Sequence, residues 1–110
     1  MADTEHERIN RAAKDAERRV ARAWGSERWV NDGSAHSDVR ADCPVSLEVT
    51  RTKGRRIRRE KREQARENAK REKRPWVLVI AAPGDRVEQM EALVNHGWLL
   101  DVCRRAGVIS

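Results

Sequence analysis

Two carboxylates ten positions apart, Asp38 and Glu48, carry the sharpest chemical signal in this chain. Glu48 sits within Val45 to Thr52, where Val45, Leu47 and Val49 alternate with Ser46, Glu48 and Thr50 as in a strand. Asp38 falls in a second short run, Ser37 to Asp42, and Asp42-Cys43-Pro44 forms a tight connection between the two. A hairpin of these runs sets both acids on neighbouring strands with side chains on one face. Carboxylates that converge in this way repel each other unless a cation lies between them. Hard oxygen donors of this kind suit Mg²⁺ or Mn²⁺, and such an ion activates water and stabilises charge on a phosphate. The plain alternative is a hairpin whose outer face is simply polar.

Other chemistry-bearing residues are less concentrated. His36 stands two residues before Asp38 and is a candidate ligand or nucleic-acid contact, although a turn position favours an exposed, unspecialised role. His6 and His96 belong to other elements. Cys43 and Cys103 lack the close paired spacing of a zinc site and cannot staple a scaffold, so Cys43 reads as a small hydrophobe. Trp29 and Trp76 are candidates for stacking on bases. The chain has no Phe and no Tyr, which favours core packing for Trp24, Trp76 and Trp98. Neither a phosphate-cradling glycine loop nor a Ser-His-Asp or Cys-His arrangement is present in the sequence.

The elements that must position these residues follow from periodicity. Residues 4 to 24 read as a helix, with Ile9, Ala12, Ala13, Ala16, Val20 and Trp24 on one stripe. Thr4 with Glu7 resembles a capping box, and Gly25 is a plausible stop. Arg28 to Asn31 is a short strand candidate closed by Asn31-Asp32-Gly33-Ser34, a strong turn signal. Residues 55 to 73 form a basic helix whose apolar stripe is thin (Ile57, Ala65 and Ala69), so most of it should face water. Pro75 ends that helix. Trp76 to Ala81 is a continuous apolar run, as expected of a central strand covered on both faces. After a Pro83-Gly84 turn, Asp85 with Glu88 looks like a cap for a helix lined by Val87, Met90, Leu93 and Val94. Trp98, Leu99, Val102 and Cys103 suit a last short helix. The order α-β-β-β-α-β-α indicates a mixed α/β domain with helices packed on a sheet.

Charge narrows the partners. The 110 residues suit a single domain, and their formal charge is +6. That charge is uneven: Arg51 to Arg74 holds 13 basic residues against four acids, a local +9 that leaves −3 for the rest. A dense cationic segment is the usual footprint of a polyanion, most often nucleic acid; a solvated helix face is the bland reading. No apolar run reaches membrane-spanning length, and Met1 to Asn10 is too polar for a secretory signal, so a cytoplasmic protein is expected.

The motifs resemble those of a known family. Ser37-Asp38-Val39, nine intervening residues and Glu48-Val49-Thr50 look like the PD-(D/E)xK nuclease motif. Gly33-Ser34 resembles the glycine-serine turn of archaeal-type and phage Holliday junction resolvases. Glu17 matches the first-helix glutamate of that group, and Gln64-Ala65 resembles the glutamine of the helix after the motif. The resemblance covers about residues 12 to 82 and implies a restriction-endonuclease-like αβββαβ core, a mixed sheet flanked by helices, followed by C-terminal helices over 85–106. Residues 1–110 would then form one nuclease-like domain.

Carried over residue by residue, the resemblance makes Asp38, Glu48, the Val49 carbonyl and Glu17 metal ligands or holders of metal-bound water, with Mg²⁺ or Mn²⁺ as cofactor. Ser34 would contact the scissile phosphate or hold the metal's surroundings, and Gln64 would orient water or DNA. The basic segment, including Arg51, Lys53, Arg55, Arg56, Arg58, Arg59 and Arg62, would hold flanking phosphates. Branched DNA is the implied substrate and a homodimer the implied assembly. One position departs from the pattern: Thr50 stands where the family has lysine. Lys61, one turn from Gln64, or a neighbour would supply the missing charge, as migrated lysines do in some members of that superfamily. The main expectation is a metal-dependent, structure-selective endonuclease; the alternatives are a catalytically impaired DNA-binding module on the same scaffold and an adaptor for an acidic protein.

Overall fold

The computed structural model describes residues 4–26, 43–52 and 57–110. Helix α1 spans Glu5–Ala23. Its start is fixed by a reciprocal cap: Glu7 N–H donates to Thr4 Oγ1 at 3.2 Å and Thr4 N–H donates to Glu7 Oε2 at 3.3 Å. The inner stripe buries Ala16, Val20 and Ala21. The chain leaves the helix through Trp24 and Gly25, where φ is +71°, a conformation glycine adopts without a Cβ clash. The expected start near Thr4 and stop at Gly25 are both borne out.

Strand β1 (Ser46–Arg51) runs parallel to strand β2 (Trp76–Ala81), and helix α2 (Arg59–Glu72) connects them. A parallel pair needs such a crossover, because the chain must return to the same end of the sheet. The apolar run of β2 is the central strand, in the order β1-β2-β3, and is covered on both faces as its sequence predicts. On one face Leu47 and Val49 join Val77 and Val79 under Val20, Ala21 and Trp24 of α1. The other face carries Glu48, Thr50, Leu78 and Ile80, and α2 packs against it through Ala65, Asn68 and Ala69. Cys43 is buried in the core as a free thiol, in keeping with its reading as a small hydrophobe.

The segment after β2 differs from its expectation. Ala82-Pro83-Gly84-Asp85 is a turn, with Asp85 N–H donating to Ala82 O at 3.1 Å and Gly84 at φ +85°. Asp85 and Glu88 do not begin a helix. A single 3₁₀ turn, Val87–Gln89, leads into strand β3, Glu91–Val94, which pairs antiparallel with β2. The open edge of β2 explains this outcome: its buried N–H and C=O groups require partners, and an extended Glu91–Val94 supplies them. Helix α3, His96–Arg105, then closes the chain, capped by the Asn95 side chain accepting from Trp98 N–H at 3.0 Å. Only this last helix of the expected pair forms.

The described chain is therefore an α/β fold: a three-stranded mixed sheet flanked by helices, with a C-terminal helix. The strands expected over Arg28 to Asn31 and Ser37 to Asp42, and with them the proposed hairpin, lie outside the described residues. Among the described residues, no helix is long and apolar enough to cross a membrane.

Candidate functional site

The parallel strands end together at Arg51 and Ala81, and the chain leaves both at the same end of the sheet. In open α/β sheets the carboxyl ends of parallel strands are where ligands are taken. A cleft of about 390 Å³ opens here, lined by Ile9, Ala13 and Glu17 of α1, Val49 to Thr52, Lys61 of α2 and Pro83. It wraps around the end of β1, which forms one edge of the sheet among the described residues, so residues from both faces reach it. Glu17, Val49, Thr50 and Lys61, all nominated from the sequence, meet in this cleft.

A neighbouring cleft of about 260 Å³ shares Arg51 and adds Arg19, Arg86, Asp15 and Asp85. Arg19 Nη2 donates to the Asp85 carbonyl at 2.9 Å, tying α1 to the turn after β2. Asp85 Oδ2 accepts from Ala82 N–H at 3.1 Å, which holds the same turn from within. Arg19 and Arg86 were not singled out in the sequence. Their proximity comes from the turn at Pro83-Gly84 folding back on α1, a contact no local pattern encodes.

Glu48 has a different setting. It is 6% exposed, on the face of β1 covered by α2, and its Oε1 accepts a hydrogen bond from Asn68 Nδ2. Asn68 is 3% exposed and its Oδ1 accepts from Arg71 Nη1 at 2.9 Å. Nearby, fully buried Ser46 donates from Oγ to Glu72 Oε2 at 3.3 Å, and Glu72 pairs with Arg74. The polar face of β1 is thus not an outer face but a polar layer between strand and helix, where each buried group needs a partner. No motif in the sequence marks Asn68 as part of this layer. The available signal was its position, three residues after Ala65 on the inner stripe of a helix otherwise short of apolar residues.

The remaining expected site residues divide by location. Arg51, Arg58, Arg59 and Arg62 are exposed, and Arg59 forms an i,i+4 ion pair with Glu63 at 3.0 Å. Gln64 is exposed on α2 and is not among the residues lining the cleft. Ser34, His36, Asp38, Lys53, Arg55 and Arg56 lie outside the described residues, as does Trp29. Trp24 and Trp98 pack against the core as expected, whereas Trp76 is half-buried with the Arg66 guanidinium 5.6 Å from its ring centroid.

The donor set for a divalent ion is incomplete among the described residues. No three of His, Cys, Asp and Glu gather closely enough there to hold a metal. Among the described residues, Glu17 is the one carboxylate lining the cleft at the end of β1, joined by the neutral oxygens of Val49 and Thr50. One carboxylate is the low end of what Mg²⁺ sites use, which is one or two beside substrate phosphates and water. No family model matches the chain, and no curated protein or solved structure matches it either.

Proposed function

We propose that this protein is a divalent-metal-dependent endonuclease with a restriction-endonuclease-like core, acting as a homodimer on branched DNA in the manner of a Holliday junction resolvase. The observation that carries the reading is the cleft at the end of β1, where Glu17, Val49, Thr50 and Lys61 from three elements share one opening. These are residues that the nuclease resemblance nominates independently of any geometry. Metal dependence rests on that resemblance and on Asp38.

Within this reading the chain's own groups divide the work. The Lys61 ammonium supplies beside Thr50 the positive charge that Thr50 lacks, facing the charge that develops on a phosphate during hydrolysis. Thr50 Oγ1 hydrogen-bonds a phosphate oxygen, and Glu17 orients the attacking water. Arg51, shared by both clefts, grips the adjacent phosphate. The exposed arginines of α2 hold the flanking backbone. Exposed Leu99, Val102, Val108 and Ile109 give the C-terminal end an apolar surface suited to a second copy.

The test is cleavage of a labelled four-way junction in Mn²⁺, with sedimentation of the same samples to read the dimer. Wild type should nick the junction. Lys61→Ala should lower the rate by about 10²-fold or more, and adding Thr50→Lys should recover part of it. Asp38→Ala and Glu48→Ala should abolish cutting.

A second reading, a DNA-binding module without catalysis, is favoured by the engagement of Glu48 with Asn68 in the buried layer. Junction binding with no cutting in any divalent ion would establish it over the first. Cleavage created by Thr50→Lys in such an inactive wild type would trace the defect to that position.

A further inference from the structure

A third cleft, also cationic, lies at the opposite end of the sheet, where β2 begins. It is lined by Arg66, Lys70, Lys73, Arg74, Trp76 and Asn95 together with Ala69 and Pro75. Arg66, Lys70 and Lys73 follow one another at helical steps of four and three, so they form a single ridge along the end of α2. That ridge covers about 10 Å at 1.5 Å per residue, the length of about three stacked nucleotides. Arg66 and Lys70 are exposed within the helix, and Lys73 is exposed at its left-handed cap, φ 56°. Arg74 is engaged with Glu72 and the Cys43 carbonyl, and so contributes a fixed wall. The floor is Trp76, half-buried, with the Arg66 guanidinium over its ring. No carboxylate is among the described residues lining the cleft.

We propose that this cleft binds an unpaired nucleotide of a DNA strand, its base stacked on the Trp76 ring beside Arg66 and its flanking phosphates held by Lys70 and Lys73. The physical argument has two parts. An exposed part of the indole ring, with a guanidinium 5.6 Å from its centroid, attracts the π-face of any base. In a duplex those faces are covered by neighbouring pairs, so only an unpaired strand can offer one. The row of cations beside the ring then selects a base that is joined to a phosphate backbone over a free aromatic compound.

The cleft also has a defined place relative to the proposed cutting site. It opens at the Trp76 end of β2, and the Glu17–Lys61 cleft opens at the Ala81 end. A strand of this length spans about 17–20 Å. Helix α2 links the two clefts, with Lys61 near one and Lys70 and Lys73 at the other. The proposal therefore rests on the reading of the chain as a DNA-binding nuclease and names its substrate more closely: branched DNA with an unpaired segment beside the branch.

The experiment measures binding alone, in EDTA, so that it is independent of cleavage. Fluorescence anisotropy compares a labelled oligothymidine with the same strand carrying abasic sites, and with a duplex of equal length, all at low salt. Wild type should prefer the base-containing strand over the abasic one by about 5- to 100-fold. Trp76→Ala should abolish that preference while leaving abasic binding in place. Lys70→Glu with Lys73→Glu should weaken both strands together. If Trp76→Ala fails to fold, Arg66→Ala at an exposed position should still reduce the preference. Equal binding of the two strands by wild type overturns the proposal, as does a preference unchanged in both Trp76→Ala and Arg66→Ala. A preserved preference in a protein that cuts no junction would defeat only the nuclease reading.

Discussion

Asn68 joins the stability of this fold to the setting of its most suggestive acid. Its amide donates to Glu48 and its carbonyl oxygen accepts from Arg71, so one side chain satisfies two charged partners between β1 and α2. Removing it leaves a buried carboxylate short of a donor, which is costlier than losing an exposed contact. Asn68→Ala should lower unfolding free energy by about 1–3 kcal/mol. The measurement is urea denaturation, with a lower midpoint at unchanged slope. Glu48 itself was legible in the sequence as a strand residue on the polar alternation. Its burial was not, because alternation says which residues share a face and not what covers that face.

Elements differ in how much of their stability is local. Helix α1 has a complete start signal in its own sequence, the Thr4–Glu7 capping box, and an inner stripe that docks on β1. Thr4→Ala should cost about 1 kcal/mol through the lost cap. Thermal unfolding would register this as a midpoint lowered by several degrees. The region after β2 behaves in the opposite way. Val87, Met90, Leu93 and Val94 fit a helical spacing, yet the backbone of β2 recruits Glu91–Val94 as a third strand. A helix there would satisfy its own hydrogen bonds but leave the edge of β2 bare. Short segments with a single apolar face are decided by such tertiary pairing.

At the scale of the whole molecule, most of the positive charge lies outside the core. Helix α2 buries only Ala65, Asn68 and Ala69 and exposes most of its basic residues, as its thin apolar stripe foretold. Cations therefore line clefts at both ends of the sheet, through Lys61, Arg51, Arg19 and Arg86 at one and Arg66, Lys70 and Lys73 at the other. A nucleic acid that engages both ends would contact on the order of six phosphates. Junction affinity should then fall by about 10³-fold between 50 and 200 mM salt. Anisotropy titrations across that range read the slope directly. A shallow slope, near one phosphate, would place the contact at a single cleft.

The long amphipathic helix, the basic helix and the apolar central strand were all readable from residue order. Each is specified by propensity, capping or periodicity acting within a dozen residues. The nomination of Glu17, Val49, Thr50 and Lys61 was also readable, from motif resemblance and from the vacancy at position 50. Their meeting in one cleft required the crossover through α2, which brings the end of β1 beside Lys61 while α1 carries Glu17 across the other face. The cover over Glu48, the third strand and the contact of Arg66 with the Trp76 ring likewise depended on partners elsewhere along the chain. Such contacts follow from burying one sheet on both faces and pairing its backbone, conditions that belong to the assembled layers and not to any single stretch of sequence.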